Sequence, residues 1–249
     1  MKGTGVVKGD VNGDGLDDFF VGNAKDAIAE LYVQRPNGTF AKSNEALLKA
    51  EAKFEDANAL FFDADGDGDQ DLYVVSAGYQ LEENDPLLQD RLFNNDGKGN
   101  FTKNLSALPS MLISGKSIAV GDYDDDGDLD LFVGGNVVPQ KYPLSPKSYL
   151  LKNENGKFTD MTKSNNDLKE IGLVSEAVFT DYDNDNDLDL LVVGEWMSPT
   201  FFTNHLGAFT IAANITGLQH TEGWWQSISM ADLDGDGDQD YLLGNIGKN

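Results

Sequence analysis

Short apolar runs recur along the chain, and each of them directly follows a stretch dominated by Asp, Asn and Gly. The run Leu190-Leu-Val-Val193, for example, begins next to Asp189 and ends at Gly194. An uninterrupted apolar run of this length between turn residues is typical of a buried strand. In four places, between one polar stretch and the next, a Gly-containing turn precedes a Phe. Such turns between apolar runs predict hairpins. These hairpin residues are Phe40, Phe101, Phe158 and Phe209.

The polar stretches repeat at long and nearly regular intervals. Their first residues are Asp10, Asp63, Asp122, Asp181 and Asp232, which are 53, 59, 59 and 51 residues apart. A period of this length is typical of a propeller or a solenoid. Two strands around each polar loop and two around each hairpin make four strands per period, which favours propeller blades. In the third period the predicted strands are Lys116–Gly121, Asp130–Gly134, Ser148–Asn153 and Lys157–Met161.

The predicted fold class is therefore all-β, a β-propeller of four-stranded antiparallel blades. The fifth period contains only its first two strands. The propeller is thus predicted to be incomplete, with four full blades plus the inner half of a fifth, and further blades are expected in the parent chain. We predict a single domain over residues 1–249, with blades at about 4–43, 57–104, 116–162, 175–212 and 226–249.

Each polar stretch contains a nine-residue loop with acidic or amide side chains at positions 1, 3, 5 and 9, which we call an acidic loop. Alternate side chains of a tightly curled loop point inward, and Ca²⁺ takes six to eight oxygen ligands at about 2.3–2.6 Å. The spacing therefore predicts about five structural Ca²⁺ ions, each also bound by the backbone carbonyl at position 7. The predicted ligands are Asp10, Asn12, Asp14, Leu16 and Asp18; Asp63, Asp65, Asp67, Asp69 and Asp71; Asp122, Asp124, Asp126, Asp128 and Asp130; Asp181, Asp183, Asp185, Asp187 and Asp189; and Asp232, Asp234, Asp236, Asp238 and Asp240.

Two alternatives for these loops are a metal-free surface turn and the loop of an EF-hand. Five loops in one register argue against a chance turn. An EF-hand needs a bidentate Glu at position 12 and a helix on each side. Position 12 is apolar in every loop: Val21, Val74, Val133, Val192 and Leu243. The loops therefore join strand to strand. Position 6 is Gly except for Asn186, which is the next most tolerant residue of the left-handed conformation needed there.

The charge of the chain narrows the classes of partner. It has 18 basic and 43 acidic residues and a net charge of −25, and 25 of the acids lie in the five loops. This charge argues against nucleic acid and against an anionic membrane. There is no cysteine, and no apolar stretch is long enough for a transmembrane segment. Because such loops are usually filled where calcium is millimolar, we infer an extracellular or cell-surface location, with a signal that was removed or lies upstream.

The strand, the D-x-D-x-D-G-x-x-D loop and the following Phe-Val-Gly-Gly (residues 132–135) resemble the FG-GAP repeat of integrin α-subunits. The chain is also similar to bacterial FG-GAP/VCBS-repeat proteins that often carry an ASPIC/UnbV domain, with similar blocks at residues 193–199 and 223–228. The resemblance covers all five repeats. It implies a calcium-bound propeller, usually seven-bladed, that serves in adhesion or ligand binding. It does not imply a substrate.

Two long insertions lie between the second and third strands of a period, at the blade end opposite to the acidic loops, and the same end carries the connectors between repeats and several aromatic residues. Aromatic rings offer large, flat contact areas to sugars and proteins. We therefore predict an extracellular recognition or adhesion module for a glycan or a protein. The candidate ligand-binding residues are Tyr79, Tyr142, Trp196, Trp224 and Trp225. The alternative is that these rings pack between blades or fill the axis.

We expect no enzymatic activity and assign no catalytic residue. His205 lies in a hairpin turn and His220 in a connector, and no Ser, His and Asp spacing stands out. The alternative function is a calcium-dependent polysaccharide lyase or hydrolase, or the substrate-binding accessory domain of one. A lyase would need a basic cluster beside its metal, and the conspicuous basic residues Arg91 and Lys141 do not make one.

Overall fold

A computed structural model describes residues 5–212 and 217–247 of the chain. The first three sheets contain β1 (Val6–Gly9), β2 (Asp18–Val21), β3 (Glu30–Gln34) and β4 (Phe40–Ser43); β5 (Glu55–Phe62), β6 (Asp71–Ala77), β7 (Arg91–Asn94) and β8 (Thr102–Asn104); and β9 (Ser114–Gly121), β10 (Asp130–Val137), β11 (Tyr149–Glu154) and β12 (Lys157–Asp160). The remaining strands are β13 (Leu173–Thr180), β14 (Asp189–Met197), β15 (Thr200–His205), β16 (Ala208–Ile211), β17 (Gly223–Ala231) and β18 (Asp240–Asn245). The helical elements are α1 (Glu45–Ala50) and the 3₁₀ turns Pro86–Leu88 and Asn166–Leu168.

The first three sheets are four-stranded antiparallel sheets in which consecutive strands are neighbours. The predicted all-β class and the four-stranded unit are therefore confirmed. In the third sheet the predicted strands agree with β9 to β12 to within a few residues. The predicted start of the first blade at residue 4 and the predicted end of the fifth at residue 249 lie outside the described residues. No helix within residues 5–212 and 217–247 has the length and apolar composition needed to cross a bilayer.

The fourth sheet differs from the first three because it continues into the fifth period. Strand β14 pairs with β13 along one edge, and on its other edge with β15 as far as Val192. Beyond Val192 the same edge pairs with β17, where Glu195 lies opposite Trp224. Strand β14 is nine residues long. Because β14 extends beyond the end of its pairing with β15, the backbone N–H and C=O groups of its last residues need other hydrogen-bond partners, and β17 supplies them.

The described residues divide into two compact units. The first contains residues 5–115 together with 153–159, and the second contains 116–152, 160–212 and 217–247. The core of the first unit includes Phe20 of β2, Leu72 of β6 and Phe93 of β7. The second unit has two clusters of buried apolar residues, one around Phe132 and Phe202 and the other around Leu191 and Val193. In both units the apolar runs that follow the acidic loops supply the core, as the hydrophobic pattern predicts.

Helix α1 was not predicted, and it lies in the connection between the first two sheets. Asn44 precedes it with a left-handed backbone (φ 54°). The Asn44 side chain donates a hydrogen bond to the Gly99 carbonyl (2.8 Å) and accepts one from the Phe101 amide (3.0 Å). The connection is therefore tied to the hairpin of the second sheet by side-chain hydrogen bonds.

A buried carboxyl group lies at the start of the third strand in the second sheet. Asp90 accepts hydrogen bonds from the Tyr73 hydroxyl (2.8 Å) and from the Ser76 amide (2.7 Å). Burial away from water raises the pKa of Asp90 to about 7, although both hydrogen bonds and the charge of Arg91 act in the opposite direction. The folded protein therefore holds a proton on Asp90 that the unfolded chain releases at lower pH.

We expect Asp90→Asn to remove part of the pH dependence of stability. Because the pKa of Asp90 is higher in the folded than in the unfolded protein, its contribution to the free energy of unfolding is fully present below about pH 4 and is lost as pH rises through about 7. The stability of the wild-type protein should therefore fall from pH 6 to 8. In the variant, the fall in unfolding free energy over that range should be smaller by about 1 kcal/mol. Denaturant unfolding in saturating calcium measures this. The exposed Asp167→Asn is the control, and equal pH slopes for wild type and Asp90→Asn would contradict the assignment.

Candidate metal sites and an aromatic cluster

Each acidic loop connects the first two strands of its period, so the strands hold both ends of the loop. Between them the backbone turns sharply through left-handed residues at position 6. These residues are Gly15, Gly68, Gly127, Asn186 and Gly237, with φ values of 83°, 90°, 95°, 74° and 97°. The left-handed conformation expected for Asn186 is therefore present, and the fourth loop keeps the shape of the others.

Backbone amides organise the acidic side chains within each loop. In the third loop, Asp122 accepts hydrogen bonds from the amides of Asp126 (3.1 Å) and Gly127 (2.8 Å). Asp126 in turn accepts one from the Asp128 amide (3.0 Å). In the other four loops the position-6 amide likewise donates to position 1, and the position-7 amide to position 5. The curled conformation is thus set by local hydrogen bonds that fix the direction of each carboxylate.

The carboxylate at position 9 is the most buried group of the loop. Asp71 illustrates its environment, because it accepts hydrogen bonds from the amides of Ala64 (3.1 Å) and Asn95 (2.8 Å). Burial raises the pKa of both Asp71 and its equivalent Asp189 to about 6, against the effect of these amide bonds. A negative charge at position 9 is therefore costly in the bare loop, and a bound cation would offset that cost.

The carboxylates at positions 1, 3 and 9 converge in four of the loops. In each group, one oxygen from every residue lies within 4.8 Å of the others. The groups are Asp63, Asp65 and Asp71; Asp122, Asp124 and Asp130; Asp181, Asp183 and Asp189; and Asp232, Asp234 and Asp240. In the first loop the position-3 residue is Asn12, an amide that donates a hydrogen bond to Asp14 (3.2 Å). The side-chain donor set of all five loops consists of oxygen atoms, as a hard cation requires.

Two buried oxygen atoms lack hydrogen-bond partners at these sites. They are Oδ1 of Asp65 and Oδ1 of Asp124, both at position 3. Desolvation and then the neighbouring charge of Asp67 raise the pKa of Asp65. A buried carboxylate oxygen without a donor is unfavourable, so a ligand for it is expected. A cation in the loop would satisfy this oxygen.

The third loop also contacts a lysine that the sequence analysis missed. Lys152 on β11 forms ion pairs with Asp124 and, at 2.9 Å, with Asp126. The hydrogen bond from Lys152 lowers the pKa of Asp126. The third loop therefore has an ammonium group of its own that partly neutralises its carboxylates.

Three asparagines at or just past the ends of the third strands were also missed. Each donates a side-chain hydrogen bond to the position-2 carbonyl of the acidic loop in the repeat before its own. Each also accepts one from a Gly amide in its own hairpin turn. We call these interactions the asparagine staples; they join Asn95 to Val11 (2.7 Å), Asn153 to Ala64 (2.8 Å) and Asn204 to Tyr123 (2.7 Å). They were detectable in sequence, since each Asn stands five or six residues before a hairpin Phe.

The structure brings three of the predicted ligand-binding residues together in the second unit. Trp196 at the end of β14 donates its indole N–H to the Tyr142 hydroxyl (2.6 Å). Its ring meets that of Trp224 edge to face, with 5.7 Å between ring centroids and an interplanar angle of 71°. Tyr142 comes from the insertion between β10 and β11, and Trp224 from the start of β17. We call these three residues the aromatic cluster.

The other two predicted ligand-binding residues, Trp225 and Tyr79, do not belong to the aromatic cluster. Trp225 is partly buried against the cluster of Leu191 and Val193, and its indole N–H donates to the Thr221 carbonyl (3.0 Å). Its environment is that of a packed residue. Tyr79 belongs to the first unit and is half exposed.

Comparison with known families identifies the repeat. The profile described as the FG-GAP-like repeat matches residues 10–74, 63–133 and 181–243, which is well over half of the chain. The chain belongs to the FG-GAP-like repeat family. Each FG-GAP-like match begins at position 1 of one acidic loop and ends in the strand after the next loop. The predicted resemblance is thus confirmed.

Solved structures with similar folds include two other repeat-containing chains. One is a lectin from Agrocybe aegerita, described as specifically recognising non-reducing terminal N-acetylglucosamine. It is 19% identical, with a TM-score of 0.53 over 82% of this FG-GAP-like chain and 49% of the lectin. The other is the V. cholerae biofilm matrix protein Bap1, 17% identical with a TM-score of 0.45 over 98% of this chain and 34% of Bap1. The chain thus spans about half the length of the lectin and a third of Bap1. No curated protein sequence matches this chain.

Proposed function

We propose that this chain is a calcium-stabilised recognition module that binds a glycan or a protein outside the cell. The observation that carries the proposal is the repeated oxygen-only loop, in which carboxylates converge and two buried oxygens lack partners. The four-stranded sheets would be blades of a β-propeller, with calcium fixing the loop at one end of each blade.

The residues present fit calcium. Side chains at positions 1, 3, 5 and 9 and the carbonyl at position 7 would hold the ion, since flexible sites of six to eight oxygens suit Ca²⁺ better than the stricter octahedral Mg²⁺. A bound Ca²⁺ supplies positive charge that relieves repulsion among the carboxylates. Its role here is structural.

The ligand would bind at the end of the sheets opposite to the acidic loops. Within β14, for example, Asp189 begins the strand at the acidic loop and Trp196 lies seven residues later, about 23 Å away. Rigid scaffolds commonly place binding residues on such connections. The ligand named for the Agrocybe aegerita lectin makes carbohydrates the first class to test, although the likeness to that lectin shows the fold alone.

The module should bind without turnover. We expect binding on a glycan or protein array in calcium, and no product in reducing-sugar and unsaturated-product assays with polysaccharides. Product formation that depends on the protein would support the alternative, a polysaccharide lyase or hydrolase. Failure to bind any arrayed glycan or protein in the calcium-loaded state would contradict the recognition function.

A further inference from the structure

The aromatic cluster is assembled from three distant segments of the second unit. Tyr142 and Trp196 are 54 residues apart in sequence, and Trp224 lies on a third segment. The Trp224 amide donates a hydrogen bond to the Asn245 side chain (2.9 Å), and its carbonyl accepts one from the Ile246 amide (2.9 Å). These hydrogen bonds hold the backbone of Trp224 in place, and the indole-to-tyrosine hydrogen bond joins the side chains of the other two residues. The cluster is pre-organised.

The rings remain open to solvent in spite of these contacts. Trp196 is 63% exposed, Tyr142 45% and Trp224 39%. Large apolar rings at such exposure are unusual when they serve only to pack a core. Trp196 also has a left-handed backbone, with φ 61°. It lies at the register shift between Glu195 and Met197 in the β14–β17 pairing, and a bulge of this kind changes the direction in which a side chain is presented.

The polar atoms of Trp196 and Tyr142 are used in hydrogen bonds, so a ligand would meet these two residues mainly through their exposed ring surface. The indole N–H of Trp196 is donated to Tyr142, and the Tyr142 hydroxyl lies 3.5 Å from a carboxylate oxygen of Glu195. A ligand would therefore meet flat apolar surface bordered by an acceptor. A sugar ring has this complementary character, since its C–H face stacks on an aromatic ring while its hydroxyls donate hydrogen bonds at the edge.

Size and geometry separate a sugar from other occupants. At about 200 Å² per aromatic side chain, the cluster exposes roughly 300 Å². A stable protein interface needs about 800 Å² per partner. An aromatic cage for a quaternary ammonium needs ring faces around an open space, but the edge of one indole meets the face of the other. The net charge of −25 and the adjacent Glu195 disfavour an anionic ligand.

We propose that the aromatic cluster is a stacking site for a neutral oligosaccharide, with Trp196 as its main contact, Trp224 and Tyr142 as its supports and Glu195 as an acceptor for sugar hydroxyls. This proposal rests on the proposed recognition function and assigns it a ligand class and a place. The acidic loops do not contribute ligand contacts to it.

Isothermal titration of the calcium-loaded protein with four neutral tetrasaccharides, of β-1,4-linked glucose, N-acetylglucosamine, mannose and xylose, tests the proposal. We expect at least one to bind, and Trp196→Ala to weaken that binding by at least about tenfold. Tyr142→Phe keeps the ring but removes the hydroxyl that orients Trp196, and it should weaken binding less. Leu206→Ala, an exposed apolar residue in the β15–β16 turn of the same unit, is the control and should bind as wild type does.

Melting curves in calcium establish that each variant is folded, and the tryptophan fluorescence of the wild-type protein gives a second readout. Two of the three tryptophans belong to the aromatic cluster, so saccharide binding should change their emission. Unchanged affinity in folded Trp196→Ala would overturn this site and leave the recognition function standing. Absence of binding to all four tetrasaccharides, or binding of choline in their place, would overturn the carbohydrate assignment, while the array experiment decides the recognition function separately.

Discussion

Removal of calcium with excess EGTA is expected to lower the melting temperature by about 10 °C or more. At Kd values of ~10⁻⁴–10⁻³ M, 10 mM calcium stabilises each site by about 1.4–2.7 kcal/mol. Two acidic loops belong to the first unit and three to the second. For chains of this size, each kcal/mol shifts the melting temperature by about 2–4 °C. Differential scanning calorimetry with and without EGTA measures the change.

Readdition of Ca²⁺ should restore the melting temperature, and equimolar Mg²⁺ should restore much less of it. Asp65→Asn provides a site-specific comparison, because it keeps the shape of the side chain but removes the charge of one unpartnered oxygen. Because Asn12 already stands at position 3 of the first loop, the substitution should weaken calcium binding in the second loop without abolishing it and should leave the other four sites unchanged. A melting curve that is the same in EGTA and in calcium would rule out a structural role for the metal.

Asn204→Ala is expected to destabilise the protein by about 3 kcal/mol. Its buried amide donates to the carbonyls of Tyr123 (2.7 Å) and Leu188 (3.0 Å) and accepts from the Gly207 amide (2.9 Å). Truncation leaves these backbone groups without that partner, and each such loss costs about 1–3 kcal/mol before water compensates. Denaturant unfolding in calcium should show the loss. The exposed neighbour His205→Ala is the control and should change stability by less than about 0.5 kcal/mol.

The same substitution should also weaken calcium binding in the third loop. The Tyr123 carbonyl lies between the position-1 and position-3 ligands Asp122 and Asp124, so losing its hydrogen bond frees the segment that positions both. Calcium titration should then show one site of reduced affinity and the others unchanged. If all sites keep their affinity, the asparagine staple stabilises the sheet without affecting the metal site.

Local sequence patterns predicted the strands and the acidic loops because both depend on near neighbours. The apolar run after Asp130 fixes β10, and the turn before Phe158 fixes the hairpin of β11 and β12. The left-handed conformation at Asn186 likewise follows from its place in the loop. In each case the determining interactions span fewer than about ten residues.

Long-range side-chain contacts were not predictable from those patterns. Trp196 and Tyr142 were both expected at one end of a blade, but their hydrogen bond joins positions 54 residues apart. The ion pair of Lys152 with Asp124 depends in the same way on how β11 lies beside the loop. Helix α1 was missed because it is six residues long and has no capping hydrogen bond from the side chain of Asn44.

The asparagine staples also bear on how such a chain can change in length. Each staple has its donor in one repeat and its acceptor in the repeat before it. A duplication of one whole period therefore copies a donor and an acceptor together, and the new repeat connects to both neighbours without any new interaction. An insertion between the asparagine and its hairpin turn would instead move the Gly amide away, so that the side chain could no longer bond both that amide and the carbonyl of the repeat before. Growth by whole periods is thus the change in length that this architecture accommodates at least cost.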